Sequence, residues 1–262
     1  MISFTIEQLY GWMNSFLWPF FRILGLFATA PLFSESAITA RLKVGLAAVL
    51  AIAVAPVIGP LPDVPTASFT ALLIAVQQVF IGIALGLVMR IVFATIQTTG
   101  EFIGLQMGLS FASFFDPATG SNTAVLSRFL NMVAMLVFLA LNGHLIMLSI
   151  LFRTFEILPL QAGELHSNGW GVLIEWSAQL MISGLLLALP LIVVLLSINL
   201  AFGILNRTAQ QLTVFAVGFP ITLLVGLLLL TVIVPQITPF LSDFFDRGYE
   251  TMLRLIYRLS GA

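Results

Sequence analysis

Long stretches of the chain carry no charged side chain, and their apolar residues run on without a polar alternation. Five such stretches, each 19 to 35 residues long, cover residues 44–62, 64–89, 129–152, 176–206 and 208–242. A helix needs roughly 20 apolar residues to cross the hydrocarbon core of a bilayer, whereas a helix of a soluble domain is apolar along one stripe only. The pattern therefore predicts an all-α integral membrane protein with about six long hydrophobic helices, several of them kinked or hairpin-like.

The first helix is predicted over residues 12–33 and carries Arg22 in its middle. Such a charge costs about 2.5–3.5 kcal/mol at the centre of a bilayer, so it should face protein or water instead of lipid. Two interpretations stay open: the guanidinium joins neighbouring helices by hydrogen bonds, or it lines an aqueous path. Glu7 precedes the run without any Lys or Arg, the reverse of a cleavable signal sequence, so we expect this helix to be retained.

Glycines at four-residue spacing occur at two places in the middle of the chain. Gly82 and Gly86 form a small-xxx-small pair in a helix predicted from 69 to 90, a spacing that lets two helix backbones approach closely. Gly100, Gly104 and Gly108 repeat the spacing in a separate, more polar helix predicted within 91–115. Glu101 lies among them as a polar residue at membrane depth. These glycines indicate a tight helix–helix seam, either an ordinary one or one beside an aqueous path.

An aromatic cluster precedes a break in the helical pattern. It consists of Phe111, Phe114 and Phe115, and Asp116-Pro117 follows directly. Proline disfavours helical geometry at the residue before it, so the helix is expected to stop near Phe115. The cluster has two possible roles: a hydrophobic constriction of a pore, or anchoring at the membrane–water interface.

The C-terminal half continues with long apolar segments. Helices are predicted over 125–151, which contains Asn142 and His144, then over 176–205 and over 212–241. A polar connection over 152–175 is too short to form a domain. Residues 206–211, which include Arg207, are predicted to form a polar turn.

The last residues have a different pattern, in which charged and apolar positions alternate with a helical period. The charged residues are Asp246, Glu250, Arg254 and Arg258, and the apolar stripe is Phe245, Tyr249, Met252, Ile256 and Leu259. The spacing predicts an amphipathic helix that lies along the membrane surface or docks on a partner.

Composition argues against catalysis and against nucleic-acid binding. Charged residues make up only 8% of the chain and the net charge is −1, which leaves no basic surface for nucleic acid. There is no cysteine and there are only two histidines, and no metal-ligand or cofactor motif occurs. We therefore expect neither a metal nor a cofactor. His144 is interpreted as an interhelical hydrogen bonder and not as a catalyst, which would be needed for an intramembrane enzyme.

Several short motifs, read together, resemble the FliR family of flagellar biosynthesis proteins. The stretch 100–112 followed by Asp116-Pro117 carries most of the likeness. Further matches are Trp18-Pro19 with Arg22, Ala30-Pro31, Arg41-x-Lys43-x-Gly45-Leu46, Asn142-Gly143-His144, Ala188-Leu189-Pro190, Asn206-Arg207, Gln211-Leu212 and Gly218-Phe219-Pro220. Together they cover nearly the whole chain. The family commonly has proline where this chain has Gln210, which loosens the expected geometry of the 206–211 turn.

This resemblance implies a membrane subunit of the flagellar type III protein export gate, placed in the bacterial inner membrane at the flagellar basal body. It implies assembly with FliP and FliQ into a helical hetero-oligomer with a closed pore, contact with FlhB and FlhA, and unfolded flagellar proteins as the exported substrates. The related injectisome subunit shares the fold and is a nearby alternative. A transporter or channel acting alone is the alternative of a different class.

The resemblance also implies a division of the chain. Residues 1–175 are similar to FliP and include a loop that helps to close the pore, and residues 176–262 are similar to FliQ, a helical hairpin with the amphipathic tail. The pore-closing loop maps onto about 106–122. It contains Phe111, Phe114, Phe115, Asp116 and Pro117, which we call the plug residues.

Overall fold

The computed structural model describes residues 6–35, 38–56, 58, 64–65, 68–109, 125–160, 165–208 and 214–261. Within these ranges every regular element is a helix, as predicted. The helices are α1 (Ile6–Thr29), α2 (Ala40–Val54), α3 (Phe69–Gln106), α4 (Val125–Ala140), α5 (Gly143–Ile157), α6 (Asn168–Thr208) and α7 (Val214–Ser260). The described ranges thus hold seven helices where the pattern predicted about six.

The two helices predicted over 69–90 and 91–115 form one continuous helix, the 38-residue α3. The predicted boundary at Arg90 is wrong because a single charged residue does not end a helix. Termination needs a proline or turn-forming residues, and neither occurs between residues 90 and 99.

The helix predicted over 125–151 is two helices, because the chain turns at Leu141 and Asn142. Asn142 has a φ of 56°, a left-handed conformation that Asn adopts more readily than most residues, and Gly143 follows it. Other predicted bounds also differ: α1 covers Ile6–Thr29 in place of 12–33, α6 begins at Asn168 in place of 176, and α7 includes the predicted amphipathic tail and ends at Ser260. Runs of apolar residues do not reveal where a helix starts.

Two helices within the described ranges, α3 and α6, are long and apolar enough to cross a membrane. Two pairs pass the same test together, each bent at a short break: α4 with α5, and Gly218–Val234 with Ile237–Ser260 inside α7. The described part of the chain therefore offers two to four candidate crossings. Length and composition support a membrane-embedded protein.

The chain divides into two compact units. The first unit contains residues 1–91, 142–177 and 245–262, and the second contains residues 92–141 and 178–244. Three helices, α3, α6 and α7, contribute residues to both. The division at residue 175 that the family resemblance implies concerns similarity to other subunits, and it stays a prediction.

In the first unit, α1 and α3 approach so closely that a side chain does not fit at three positions. A Cβ added to Gly82 would strike the carbonyl oxygen of Arg22, and one added to Gly86 would strike α1 one turn further on. From the opposite side, a Cβ on Gly25 would lie 2.5 Å from the carbonyl oxygen of Val79. The predicted Gly82–Gly86 pair therefore forms a helix–helix seam, as its spacing indicates.

The end of α7 is amphipathic, as predicted, and its apolar stripe is buried in the first unit. Phe245, Tyr249, Met252, Ile256 and Leu259 have between 0% and 7% of their surface exposed, while the charged residues of the opposite stripe are exposed. The chain itself covers the apolar stripe, so this stripe does not face a membrane surface or a partner, and the charged side of the tail is the side that is exposed. That the tail lies along the membrane surface or docks on a partner stays a prediction. The spacing predicted the period of the helix but not which residues cover its apolar stripe.

Replacement of Gly82 by alanine should destabilise the protein, because the new methyl group meets backbone atoms of α1. We expect a loss of about 1–3 kcal/mol, the usual cost of overpacking. Gly45→Ala is the matched control: nothing lies within 4 Å of its added Cβ inside α2, so alanine should be neutral or stabilise by up to about 1 kcal/mol. Thermal unfolding in detergent compares the two, and an equal Tm for both variants would contradict a seam that excludes side chains.

Candidate functional site

The end of α3 lies directly before the segment that carries the plug residues, and it has a defined geometry. The Leu109 N–H donates to the carbonyl of Gly104 at 3.0 Å, and the Gly108 N–H donates to the carbonyl of Leu105 at 3.1 Å. This pair of bonds is a Schellman motif. Gly108 has a φ of 80°, a left-handed value that glycine adopts without steric cost. The structure thus places Gly108 at the end of the helix, where its backbone conformation requires glycine.

Two carbonyl groups beyond that motif accept hydrogen bonds from other helices of the second unit. Asn199 Nδ2 of α6 donates to the carbonyl of Gln106 at 3.4 Å, and Thr222 Oγ1 of α7 donates to the carbonyl of Met107 at 3.5 Å. The Met107 side chain is 1% exposed and fills the space beside Gly226, where an added Cβ would lie 2.6 Å from Met107 Cγ. The last residues of α3 are therefore anchored to both α6 and α7.

On the other side of the 110–124 segment, α4 packs tightly against α3. A Cβ added to Gly100 would lie 2.5 Å from Ser127 Cα, and Ser127 Oγ donates to the carbonyl of Gln97. Gly104, one turn further along α3, is also buried, and the Glu101 side chain between the two glycines is exposed. Gly100 and Gly104 thus lie inside the second unit, while Glu101 lies at its surface.

The plug residues, Phe111, Phe114, Phe115, Asp116 and Pro117, lie outside the described residues. The structure gives the two helices that flank them: α3 ends at Gln106 and α4 begins at Val125. The hydrogen bonds at Gln106 and Met107 and the close packing at Gly100 place the two flanking helices within the second unit.

Arg22 is fully buried in the first unit and joins three helices. Its Nε donates to Gln78 Oε1 of α3 at 2.7 Å, its Nη1 to Thr154 Oγ1 of α5 at 3.0 Å, and its Nη2 to the carbonyl of Leu158 at 3.1 Å. The guanidinium also lies 4.3 Å from the ring centroid of Phe155. These partners carry no formal charge. The cation is stabilised by the C-terminal end of α5, where the helix dipole is negative, and by the aromatic face.

This geometry matches the first of the two interpretations of Arg22, an arginine that joins helices by hydrogen bonds. The guanidinium has no exposed surface, so it does not line an aqueous path in this state of the protein. A buried charge without a charged partner is costly unless its hydrogen bonds are made, and each of its three nitrogens donates one here.

The other two polar residues singled out at membrane depth lie at helix ends. His144 is the second residue of α5, two positions after the left-handed Asn142, and its buried Nδ1 has no hydrogen-bond partner. Arg207 is exposed in the last turn of α6, a favourable place for a cation because the helix dipole is negative there. His144 belongs to the first unit and Arg207 to the second.

The described part of the chain contains no group of three or more His, Asp or Glu residues that could hold a metal ion. An apolar cavity in the second unit has space of about 10 Å³, the lower limit of the room that one water molecule needs. Its lining includes Ile103, Leu130 and Leu230. The one polar side chain there is Thr99, whose hydroxyl donates to its own helix and to α6. The cavity therefore offers no chemistry to a ligand.

Several residues that make these contacts were not singled out from the sequence. Gln78, Asn199 and Thr222 are isolated polar side chains inside charge-free runs, and a polar group in such a run must find a partner within the protein. Applied to the sequence, that rule would have singled out these three residues. Thr154 gave no such signal, because it falls in the stretch that the pattern assigned to a polar connection.

Comparison with known proteins gives a consistent result. Residues 13–248 match the family described as bacterial export proteins, family 1. The chain is 47% identical over 259 residues to the flagellar biosynthetic protein FliR of Escherichia coli (strain K12), with 99% of each chain covered. It is 45% identical over 262 residues to FliR of Pectobacterium carotovorum subsp. carotovorum, with 100% of each chain covered. It is 30% identical to FliR of Bacillus subtilis (strain 168) over 245 residues, or 92% of this chain and 94% of that one.

The Arg22 contacts give a stability test. Arg22→Met should destabilise the protein by about 1–3 kcal/mol, because Gln78 Oε1 and the carbonyl of Leu158 lose their donors in a buried place. The double variant R22M/Q78L should recover part of that loss, since both partners are then apolar. Arg153→Met, at an exposed position of α5, is the control and should leave the Tm unchanged. A Tm for R22M equal to that of R153M would contradict a structural role for the guanidinium.

Proposed function

We infer, since this chain belongs to bacterial export protein family 1 and within it to the FliR proteins, that it is a membrane subunit of the flagellar type III protein export gate. The observation that carries this conclusion is the 47% identity to a FliR protein along 99% of both chains. The family is one of structural gate subunits, so we propose that the chain acts by forming part of a conduit and not by catalysing a reaction.

The length of α6 supports a place inside a larger assembly. At 1.5 Å per residue, its 41 residues extend about 60 Å. That length is about twice the roughly 30 Å of a bilayer core. Large apolar side chains are exposed along α6 over more than one bilayer core, from Ile174 at 70% to Leu200 at 67%, 26 residues or about 39 Å further along the helix. Lipid tails cannot cover such a surface beyond the hydrocarbon core, so neighbouring subunits are the natural cover.

We propose that these neighbours are FliP and FliQ, and that FlhB and FlhA also contact the assembly. The proposal rests on the family resemblance, in which residues 1–175 are similar to FliP and residues 176–262 to FliQ. The exposed apolar surface of α6 supports it from the physical side. The proposed location is the bacterial inner membrane at the flagellar basal body, with unfolded flagellar proteins as the cargo.

The segment of about 106–122 is proposed to close the conduit until cargo arrives. Three phenylalanines among the plug residues supply the apolar bulk that a constriction needs. The tight α3–α4 seam at Gly100 and the Schellman end of α3 support this role, because a closing segment works only if the helices at its two ends are held in place.

The assembly proposal is tested by purification in mild detergent. Expressed alone, the chain should aggregate or elute as a broad peak, because the apolar surface of α6 lacks its protein cover. Co-expressed with FliP and FliQ, it should elute with both as one sharp peak. A chain that is monodisperse alone, in a strain whose flagellar secretion does not depend on it, would instead indicate a transporter or channel acting by itself.

The closing role is tested with Phe114→Ser combined with Phe115→Ser. The double variant should make cells permeable to small ions and solutes, since the constriction loses its apolar bulk. The matched control replaces Phe69 and Phe80, two exposed phenylalanines of the first unit, by serine. Co-purification with the partner subunits establishes assembly of both variants. Equal permeability of the assembled test and control variants would rule out the closing role.

A further inference from the structure

We propose that a buried water molecule bridges the indole of Trp18 and the amide of Asn14 on one face of α1. The proposal concerns described residues of the first unit, and it stands whether or not the chain closes a conduit. It also gives a structural role to Trp18-Pro19, one of the motifs of the sequence.

The two side chains lie one turn apart on an interior face of α1. Residues four positions apart on a helix share a face, with about 5–6 Å between their Cβ atoms. Asn14 is 4% exposed and Trp18 is 2% exposed. Trp18 belongs to a core cluster that also contains Ile74 and Phe155, and Val64 packs against the same cluster. Bulk solvent therefore reaches neither polar group.

Each of the two side chains carries one buried polar atom without a hydrogen-bond partner in the protein. These atoms are Nε1 of Trp18, which is a donor, and Oδ1 of Asn14, which is an acceptor. The orientation of the amide is fixed, because Nδ2 of Asn14 donates to the carbonyl of Val64 at 2.9 Å. A flipped amide would place an oxygen against that carbonyl. Because an unpaired buried donor or acceptor costs free energy, both atoms favour a further partner.

Pro19 leaves a third polar atom at the same turn. In a regular helix the N–H of residue 19 donates to the carbonyl of residue 15, but Pro19 lies inside α1 and has no N–H. The carbonyl of Ser15 therefore lacks its usual helical donor. It points along the helix axis toward the turn that contains Trp18. One donor and two acceptors thus meet between Asn14 and Pro19.

The chemistry of this set selects the ligand. The ligand must accept a hydrogen bond from an indole N–H and must donate hydrogen bonds to two oxygens. A metal cation cannot accept from the N–H, and a halide or other aprotic anion cannot donate to the oxygens. One water molecule can make all three bonds, and about three is the usual number for a buried water. The geometry therefore points to water and not to an ion.

The first test removes only the indole N–H, in protein purified from membranes in mild detergent. Trp18→benzothienylalanine puts sulfur in place of the N–H in a ring of nearly the same size. The Tm should fall by roughly 2–4 °C, the effect of about one modest hydrogen bond in a chain of this length. In an Asn14→Leu background the fall should be less than half as large, because the bridge is already lost.

The matched control is the same replacement at Trp12, which is 59% exposed on the same helix. There bulk water takes the place of any partner that the N–H loses, so the Tm should stay nearly unchanged. A Tm that rises on replacement at Trp18 would overturn the proposal, because removal of an unpaired buried donor stabilises a protein.

A spectroscopic readout separates a water bridge from a direct bond between the two side chains. In protein labelled with ¹⁵N-tryptophan in lipid bilayers, solid-state NMR measures magnetisation transfer from water to each indole N–H, and Trp18→Phe identifies the Trp18 signal. Transfer to Trp18 should be stronger than to Trp176, whose indole donates directly to the carbonyl of Val88 at 3.0 Å. Asn14→Leu should weaken it. A Trp18 signal no stronger than that of Trp176 would overturn the water bridge even if the Tm falls.

Discussion

A buried polar group of this protein gains free energy by finding its hydrogen-bond partner within the protein, because neither an apolar interior nor lipid supplies one. Not every group finds one, as the buried Nδ1 of His144 shows. The requirement is strongest at the guanidinium of Arg22 and at the carbonyls that end α3. Arg22 is satisfied by donating to α3 and to the end of α5. The carbonyls at the end of α3 are satisfied by its own turn and by side chains of α6 and α7. Each solution ties three helices of one unit together, so the cost of an unpaired polar group fixes the helix arrangement.

Close contact between helix backbones follows from the same apolar character. Helices surrounded by lipid gain little from hydrophobic burial against one another, so they associate by close packing and by hydrogen bonds. Gly82 allows this between α1 and α3, and Gly100 allows it between α3 and α4. A hydrogen bond lies beside the glycine at both seams. Arg22 donates to Gln78, one turn before Gly82, and Ser127 donates to the carbonyl of Gln97 beside Gly100. Packing and polar contacts therefore reinforce each other along α3.

The sequence was sufficient for the fold class and for the Gly82–Gly86 seam, and the motifs indicated the family. In the second glycine series, Gly100 lies against α4, whereas Gly108 ends the helix. The sequence was not sufficient for helix ends, since continuous apolar runs have no period that marks where one helix stops. The break at Asn142 and the continuity of α3 through Arg90 are examples. The hydrogen-bond partners of buried polar residues could not be predicted either. Arg22 and Thr154 are 132 positions apart, and the residues around each give no indication of the other. Local chemistry showed that Arg22 needed partners, but only the fold shows which ones it has.

The two single helices that are candidate membrane crossings, α3 and α6, differ in how much of their surface the chain itself covers. In the most apolar window of α3, 61% of the residues are buried within the chain, whereas in that of α6 only 22% are. The helix that leads into the plug residues is therefore covered by its own chain, and α6 presents its surface to whatever surrounds the protein. Protein or lipid packed on α6 would therefore cover apolar surface that the chain itself leaves exposed.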